Sequence, residues 1–432
     1  MRRTRSRLAG LLAGWFMAML FCSCVTAQPV KLGVDVLRDS GFEALRGKRV
    51  GLVAHPASRD SRFVGTVQIL NETQVCELVA IFGPEHGVYG DEYAGDKIAD
   101  RSDPRTGLPA YSLYGSNRKP SEAMLEGLDV LVFDLQDIGA RSYTYISTMR
   151  ACMEASAEAG IEFMILDRPN PLGGERIEGG FVEEGFESFI SHIAVPYVHG
   201  MTMGELALLV RDTYTPGYEK LTVIEMSGWD RSMSWEDTGL KWVMTSPHIP
   251  NAKACAYYVA TGIVGELNTI SIGVGYTQPF ELFGVPGIDG EVLAEALNNH
   301  WDDPGRYYNA ATQGLKIRLP KRRAPAGVTF RPVWFKPFYS RFKGEVCQGV
   351  QVYIDPSKEV SLIETNFRLA QALGGELIFA DGKRDRSFDI ATGTNKARLL
   401  LMAGAPLEEL FTHWRQQSES FREDRQKYLL YP

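Results

Sequence analysis

A chain of 432 residues is long for one domain, and two is the expected number. Hydrophobic residues at 44% and charged residues at 23% provide for a sizeable core and exclude a disordered chain. The formal net charge of −7 excludes the basic surface that a nucleic-acid binder needs.

The first residues, "MRRTRSRLAGLLAGWFMAMLFCSCVTAQPV", differ from the rest. Four arginines precede an apolar run from Leu8 to Phe21 and then small residues. The run is too short for a membrane span and reads as a signal peptide over residues 1–27. Two exits fit: cleavage before Gln28, or a lipoprotein signal in "FCSC" with Cys24 as the lipidated, membrane-attached residue. Either cut removes the four arginines and lowers the net charge from −7 to −11. Export to the periplasm or cell envelope is the expected destination. Cys76, Cys152, Cys255 and Cys347 are far apart and form no CxxC pair, so they read as buried small hydrophobes.

From residue 48 apolar runs alternate with helical patterns. Residues 48–55, 76–83, 128–137 and 161–170 read as strands buried on both faces. Residues 145–160 repeat apolar side chains at three-to-four spacing and stop at Gly160. A helix at 202–214 and a strand at 220–226 continue the rhythm. The fold class expected is α/β: a Rossmann-like, mainly parallel N-terminal domain over 31–255 and a smaller α+β C-terminal domain over 256–432. The boundary follows the proline-rich "TSPHIPNAKAC". Beyond it, "NTISIGVGY", "GLKIRL" and "GVQVYI" read as strands, and "GEVLAEALNNH" and "ETNFRLAQALGG" as helices. The basic stretch 316–327 reads as an exposed loop. No GxGxxG follows the first strand, so a dinucleotide site is not supported, and no cofactor is expected.

Ligands of open parallel sheets bind beyond the carboxyl ends of the strands. Here those ends collect His55; Glu85 and His86; Asp134, Gln136 and Asp137, with Arg141 and Tyr143; and Asp167, Arg168 and Asn170. Several have structural alternatives. Asp134 and Asp167 serve equally as caps or as acceptors for loop N–H groups. Asp137 reads equally as the cap of the helix starting near Tyr143, Arg168 as an ion-pair partner of Asp134 or Asp167, and His86 as a satisfied loop histidine. Glu85, between Pro84 and a glycine-flanked loop, is the acid best placed to stay accessible. Glycoside hydrolysis by carboxyl groups leads among the chemistries. A metal site of His55, His86 and Asp91 rests on composition alone, because no HExxH-like spacing occurs, and no GxSxG elbow is present.

Taken in order, "FGPEHGVYG", "TGLPAYSLYG", "DVLVFDLQDIGARSYTYISTM", "ILDRPNPLGG", "VPYVHGMTMGELA", "SPHIP", "GVGYTQPFELFGVP" and "FKPFYSRFKGEVCQG" resemble the exo-β-N-acetylmuramidase family, glycoside hydrolase family 171, formerly a domain of unknown function. The resemblance runs from about residue 31 to the end. It implies a Rossmann-like domain and a smaller C-terminal domain with the site in the cleft between them. It also implies release of N-acetylmuramic acid from the non-reducing end of peptidoglycan fragments, in cell-wall turnover. Glu85 stands at the family's proposed catalytic position, with His86 as its orienter and Asp134, Asp137 or Asp167 as a second carboxylate. Arg141 or Arg168 suits the lactyl carboxylate of the sugar. His55, Glu92, Gln136, Tyr143, Asn170, His199 and His248 are expected as further sugar contacts. Three positions depart from the family pattern: Tyr89 and Val274 stand where arginines are common, and His248 where asparagine is. Two other readings stay open at this point, a non-catalytic envelope lipoprotein binding cell-wall sugars and a metal-dependent hydrolase.

Overall fold

The computed structural model describes residues 30–432 apart from 93–94, 96–98, 316–318, 320 and 356–357. The signal segment, Cys24 and part of the 316–327 stretch lie outside the described residues.

Seven strands build the N-terminal sheet: β1 (Arg49–Ala54), β2 (Glu77–Gly83), β3 (Arg101–Ser102), β4 (Pro109–Ser112), β5 (Val130–Asp134), β6 (Glu162–Leu166) and β7 (Leu221–Ile224). Their order is β3-β4-β2-β1-β5-β6-β7, with every neighbouring pair parallel except β3 and β4. The apolar runs of the sequence resolve into two faces because strand side chains alternate. Val50, Leu52, Ala54, Val130 and Val132 join one core with the first helix, Gly33–Asp39. Val53, Leu131, Phe133, Phe163 and Ile165 join the other. Each large side chain so buried contributes about 1.5–3 kcal/mol. The helix Tyr145–Ala159 ends at Gly160, whose φ of 68° is left-handed and leaves a side-chain-free exit. The helix Met203–Tyr214 opens with a reciprocal capping box between Thr202 and Glu205.

The C-terminal part carries an antiparallel sheet of β8 (Leu282–Val285), β9 (Val328–Phe335) and β10 (Cys347–Ile354), ordered β8-β10-β9. Its helices include Lys253–Gly265, Gly290–Asn299, Leu362–Leu373 and Glu408–Asp424. Its core is continuous with one face of the large sheet: Phe283, Leu293, Val350 and Phe367 belong to the same cluster as Phe133. The two parts therefore share one apolar interior.

The expected strand "NTISIGVGY" forms only a single bridge, Ser271 to Gly284. Gly273 and Gly275 adopt φ of 80° and 92°, and a Cβ on them would meet Gln278 O at 2.2 Å and Tyr339 O at 2.0 Å. The segment is a tight loop pressed against its neighbours, which strand geometry forbids.

In this topology β1 leads to one side and β5 to the other, so the crevice between their carboxyl ends is where a ligand is expected. Protein groups close it. The Gln136 N–H faces His55 Nε2 at 3.0 Å, and the Ser58 hydroxyl donates to the Asp134 carbonyl. One strand away, after the end of β2, stands Glu85, which keeps partial exposure to solvent.

Candidate active site

β2 ends at Gly83, and the chain turns through Pro84, Glu85, His86 and Gly87. His86 holds φ of 72° and Gly87 φ of 74°. Two successive left-handed residues, one of them not glycine, are a strained turn costing on the order of 1–3 kcal/mol. His86 is buried and is braced by a 3.0 Å bond between its Nδ1 and the Glu92 carbonyl. The turn projects Glu85 outward, half-buried. Its Oε2 accepts a 2.7 Å bond from Thr144 Oγ1, just before the helix Tyr145–Ala159, and its Oε1 a 3.1 Å bond from the Gly95 N–H.

Behind Glu85 lies an aromatic floor. Tyr145 donates to the Thr245 carbonyl at 2.7 Å, and Tyr143 to Thr245 Oγ1 at 2.9 Å, with their rings 4.8 Å apart. His55 packs 5.0 Å from Tyr145. Both ring nitrogens of His55 face backbone N–H groups, those of Ala57 and Gln136 at 3.1 and 3.0 Å. Burial, then the charges of Arg168 and His86, hold its pKa well below the usual imidazole range. It is a neutral wedge, with no lone pair free for a metal. On the opposite wall His248 bonds Tyr339 of the C-terminal part at 2.7 Å and stacks on its ring. Burial first, then His86, lowers the His248 pKa.

Four of the strand-end groups are turned inward. Asp134 is fully buried and accepts from Arg168 Nε at 2.6 Å and Nη2 at 2.9 Å, and from Thr66 Oγ1 at 2.5 Å. Neither Asp134 nor Arg168 is available to substrate, and each neutralises the other. Asp167 is saturated as well, by Thr202 Oγ1 at 2.7 Å, Tyr431 Oη at 2.6 Å, Gly204 N at 2.8 Å and Arg168 N at 3.0 Å. Burial raises its pKa to about 6. Arg141, expected to meet the sugar's carboxylate, is wholly buried and donates to the carbonyls of Gly180, Val195, Ala391 and Thr392 at 2.7, 3.0, 3.3 and 2.9 Å. It ties the sheet to the C-terminal part, and burial lowers its pKa to about 10.

The remaining rim residues brace loops. Gln136 donates to the Asp137 and Pro169 carbonyls, both at 2.9 Å, and Asn170 bonds Met201 O at 3.0 Å and Leu172 N at 2.9 Å. Asp137 accepts from Gly139 N at 2.7 Å and lies 3.8 Å from His199 Nε2. Its Oδ1 and that His199 nitrogen are buried without partners among the described residues. Asp91 is exposed and 3.4 Å from Arg101, and no group of three or more His, Cys, Asp or Glu side chains placed to hold a metal occurs among the described residues.

Two residues that interact with the Glu85 charge escaped the strand-end reading. The Tyr114 hydroxyl lies by the Glu85 carboxylate, and burial, then that charge, raises its pKa. Glu266, at the end of the helix Lys253–Gly265, has its pKa raised by burial; Arg384, 3.7 Å away, opposes the rise and the Glu85 charge adds to it. Tyr114 follows β4 and Glu266 belongs to the C-terminal part, so neither sits at the end of a long apolar run. The family-departing residues are also explained locally. Tyr89 donates to Asp103 and carries the Arg101 guanidinium 4.2 Å above its ring. Val274 packs against the apolar core.

A family model described as the exo-β-N-acetylmuramidase NamZ N-terminal domain matches residues 50–253, and its C-terminal counterpart matches 256–431. A protein of Bacillus subtilis (strain 168) described as peptidoglycan β-N-acetylmuramidase NamZ is 39% identical over 404 residues, which are 93% of this chain and 91% of that one. A crystal structure of a DUF1343-family protein from Bacteroides fragilis superposes with a TM-score of 0.82 at 42% identity, covering 94% of this chain and 99% of the other. A second from the same organism does so with a TM-score of 0.69 at 26% identity, covering 93% and 99%.

Proposed function

Because the chain belongs to the exo-β-N-acetylmuramidase family, we propose that it is a glycoside hydrolase releasing N-acetylmuramic acid from the non-reducing end of peptidoglycan fragments, with Glu85 as its proton-transferring group. The observation that carries the assignment of Glu85 is its contrast with the other strand-end acids. Asp134 and Asp167 are buried and saturated, whereas Glu85 is half-exposed, held by the Thr144 hydroxyl and the Gly95 N–H with the Tyr114 hydroxyl beside it.

One accessible carboxyl group suffices if the sugar supplies the nucleophile. Glu85, as the acid, gives its proton to the glycosidic oxygen while the C1–O bond breaks and the oxygen of the 2-acetamido group bonds to C1. The Glu85 carboxylate then takes a proton from the water that attacks C1, which reopens the acetamido group and leaves the free sugar. Thr144 orients the carboxylate, and the floor of Tyr143, Tyr145 and His55 gives the sugar a rigid, dry seat. The arginine-led apolar N-terminus supports export to the cell envelope, with Cys24 as the attachment point where the lipoprotein signal is used.

The test is Glu85→Gln assayed on the two disaccharides that differ in which amino sugar is terminal. The wild type releases sugar only from the one with muramic acid at the non-reducing end, and the variant loses about 10²–10⁴-fold in kcat. Wild-type rates in a folded Glu85→Gln protein would remove Glu85 from the mechanism.

A further inference from the structure

N-acetylmuramic acid differs from N-acetylglucosamine by a lactyl ether ending in a carboxylate, so an enzyme selective for it needs a cation within one residue's reach of the reacting centre. Arg141 is buried and committed to four backbone carbonyls, and Arg168 is buried and committed to Asp134. Arg101 is committed to Asp91, and Arg384 to Glu266. Arg118 differs from all four. It is exposed, and among the described residues no carboxylate lies within ion-pair distance and no hydrogen bond engages its guanidinium. It is nevertheless held in place: its Cζ lies 4.7 Å from the Phe189 ring centre and 5.8 Å from that of Tyr114. The two rings are 6.4 Å apart and form a platform beneath it. The hydroxyl of that same Tyr114 lies beside the Glu85 carboxylate.

We propose that Arg118, resting on Tyr114 and Phe189, is the specificity-determining residue that binds the lactyl carboxylate of the substrate while Glu85 acts one tyrosine ring away. A guanidinium on aromatic faces keeps its in-plane N–H groups free for a bidentate carboxylate, and it loses less rotamer freedom on binding than a free arginine does. The inference rests on the muramidase reading above. It predicts discrimination against sugars without the ether and against those whose lactyl carboxyl is capped as an amide, as in peptide-bearing muropeptides.

The experiment compares wild type, Arg118→Met and Arg118→Lys on 4-nitrophenyl β-N-acetylmuramide and on the same glycoside with its lactyl carboxyl converted to the methylamide. Wild type is expected to favour the acid. Arg118→Met should lose about 30–100-fold in kcat/KM on the acid, mostly through KM, and stay within about twofold on the amide. Arg118→Lys should recover part of the preference, since it restores charge without the fork. Wild-type turnover with the acid preference intact in Arg118→Met overturns this inference alone. A wild type that hydrolyses neither glycoside overturns the muramidase reading and this inference with it.

Discussion

The pair Asp134–Arg168 decides whether a strand-end carboxylate belongs to catalysis or to the scaffold, and the substitution Asp134→Asn separates the two. In the folded protein the Asp134 carboxylate accepts both an Nε and an Nη2 donor from Arg168 and a hydroxyl from Thr66, with no exposure to solvent. Two unit charges about 4 Å apart attract by about 4 kcal/mol at the effective dielectric of about 20 that fits protein sites. Removing one partner also leaves the Arg168 charge buried with only the Arg59 carbonyl, 2.9 Å from its Nη2, as its other acceptor. The expected loss is about 3–5 kcal/mol of unfolding free energy, as for other broken buried pairs. Urea unfolding measures it, and the double variant Asp134→Asn/Arg168→Met should recover part of the loss because no orphan charge remains. At a temperature where the single variant is folded, its kcat should stay within about threefold of wild type. A variant that melts like wild type but loses several hundredfold in kcat would refute the structural assignment and return Asp134 to the mechanism.

Two further outcomes follow from the hydrogen-bond geometry. Thr144→Val removes the 2.7 Å donor from Glu85 while leaving the Gly95 N–H, so kcat should fall about tenfold with KM nearly unchanged, and Thr144→Ser should restore it. Steady-state kinetics on the chromogenic muramide reads this, and an equal loss in both variants would deny the hydroxyl its orienting role. His55 is held neutral in the fold, whereas an unfolded histidine gains its proton near pH 6.5, so the unfolded state binds more protons below that pH. Stability is thus fully present above about 6.5 and falls as the pH drops toward the depressed folded value, by about 1.4 kcal/mol per pH unit from this residue. Urea titrations at pH 7, 6 and 5 should show the slope reduced by that amount in His55→Gln, and an unchanged slope would place the acid sensitivity elsewhere.

The order of elements was legible in the linear pattern. Four apolar runs became β1, β2, β5 and β6 with their ends trimmed, because a strand buried on both faces needs continuous apolar side chains and its ends do not. The rim of polar residues followed from the same pattern, since a parallel sheet gathers its carboxyl ends on one edge. Local sequence also determined the turn that carries Glu85: a proline and two glycines around a short acid–histidine pair leave few paths out of the strand. What sequence could not apportion was partnership. Asp134 and Arg168 lie 34 residues apart, and Arg141 reaches carbonyls 250 and 251 residues away. A polar side chain at a strand end looks the same in sequence whether it faces a ligand or another buried charge, and burial next to an opposite charge is a property of the packed sheet alone. The same holds for Tyr114 and Glu266, which no periodicity marks and which tertiary packing brings within reach of the Glu85 charge. The sequence alone determined the central strands β1, β2, β5 and β6, the rim and the turn at Glu85. Only the fold decided which rim charges are cancelled and which remain free to meet a substrate, because that depends on distances across the sheet that no local pattern encodes.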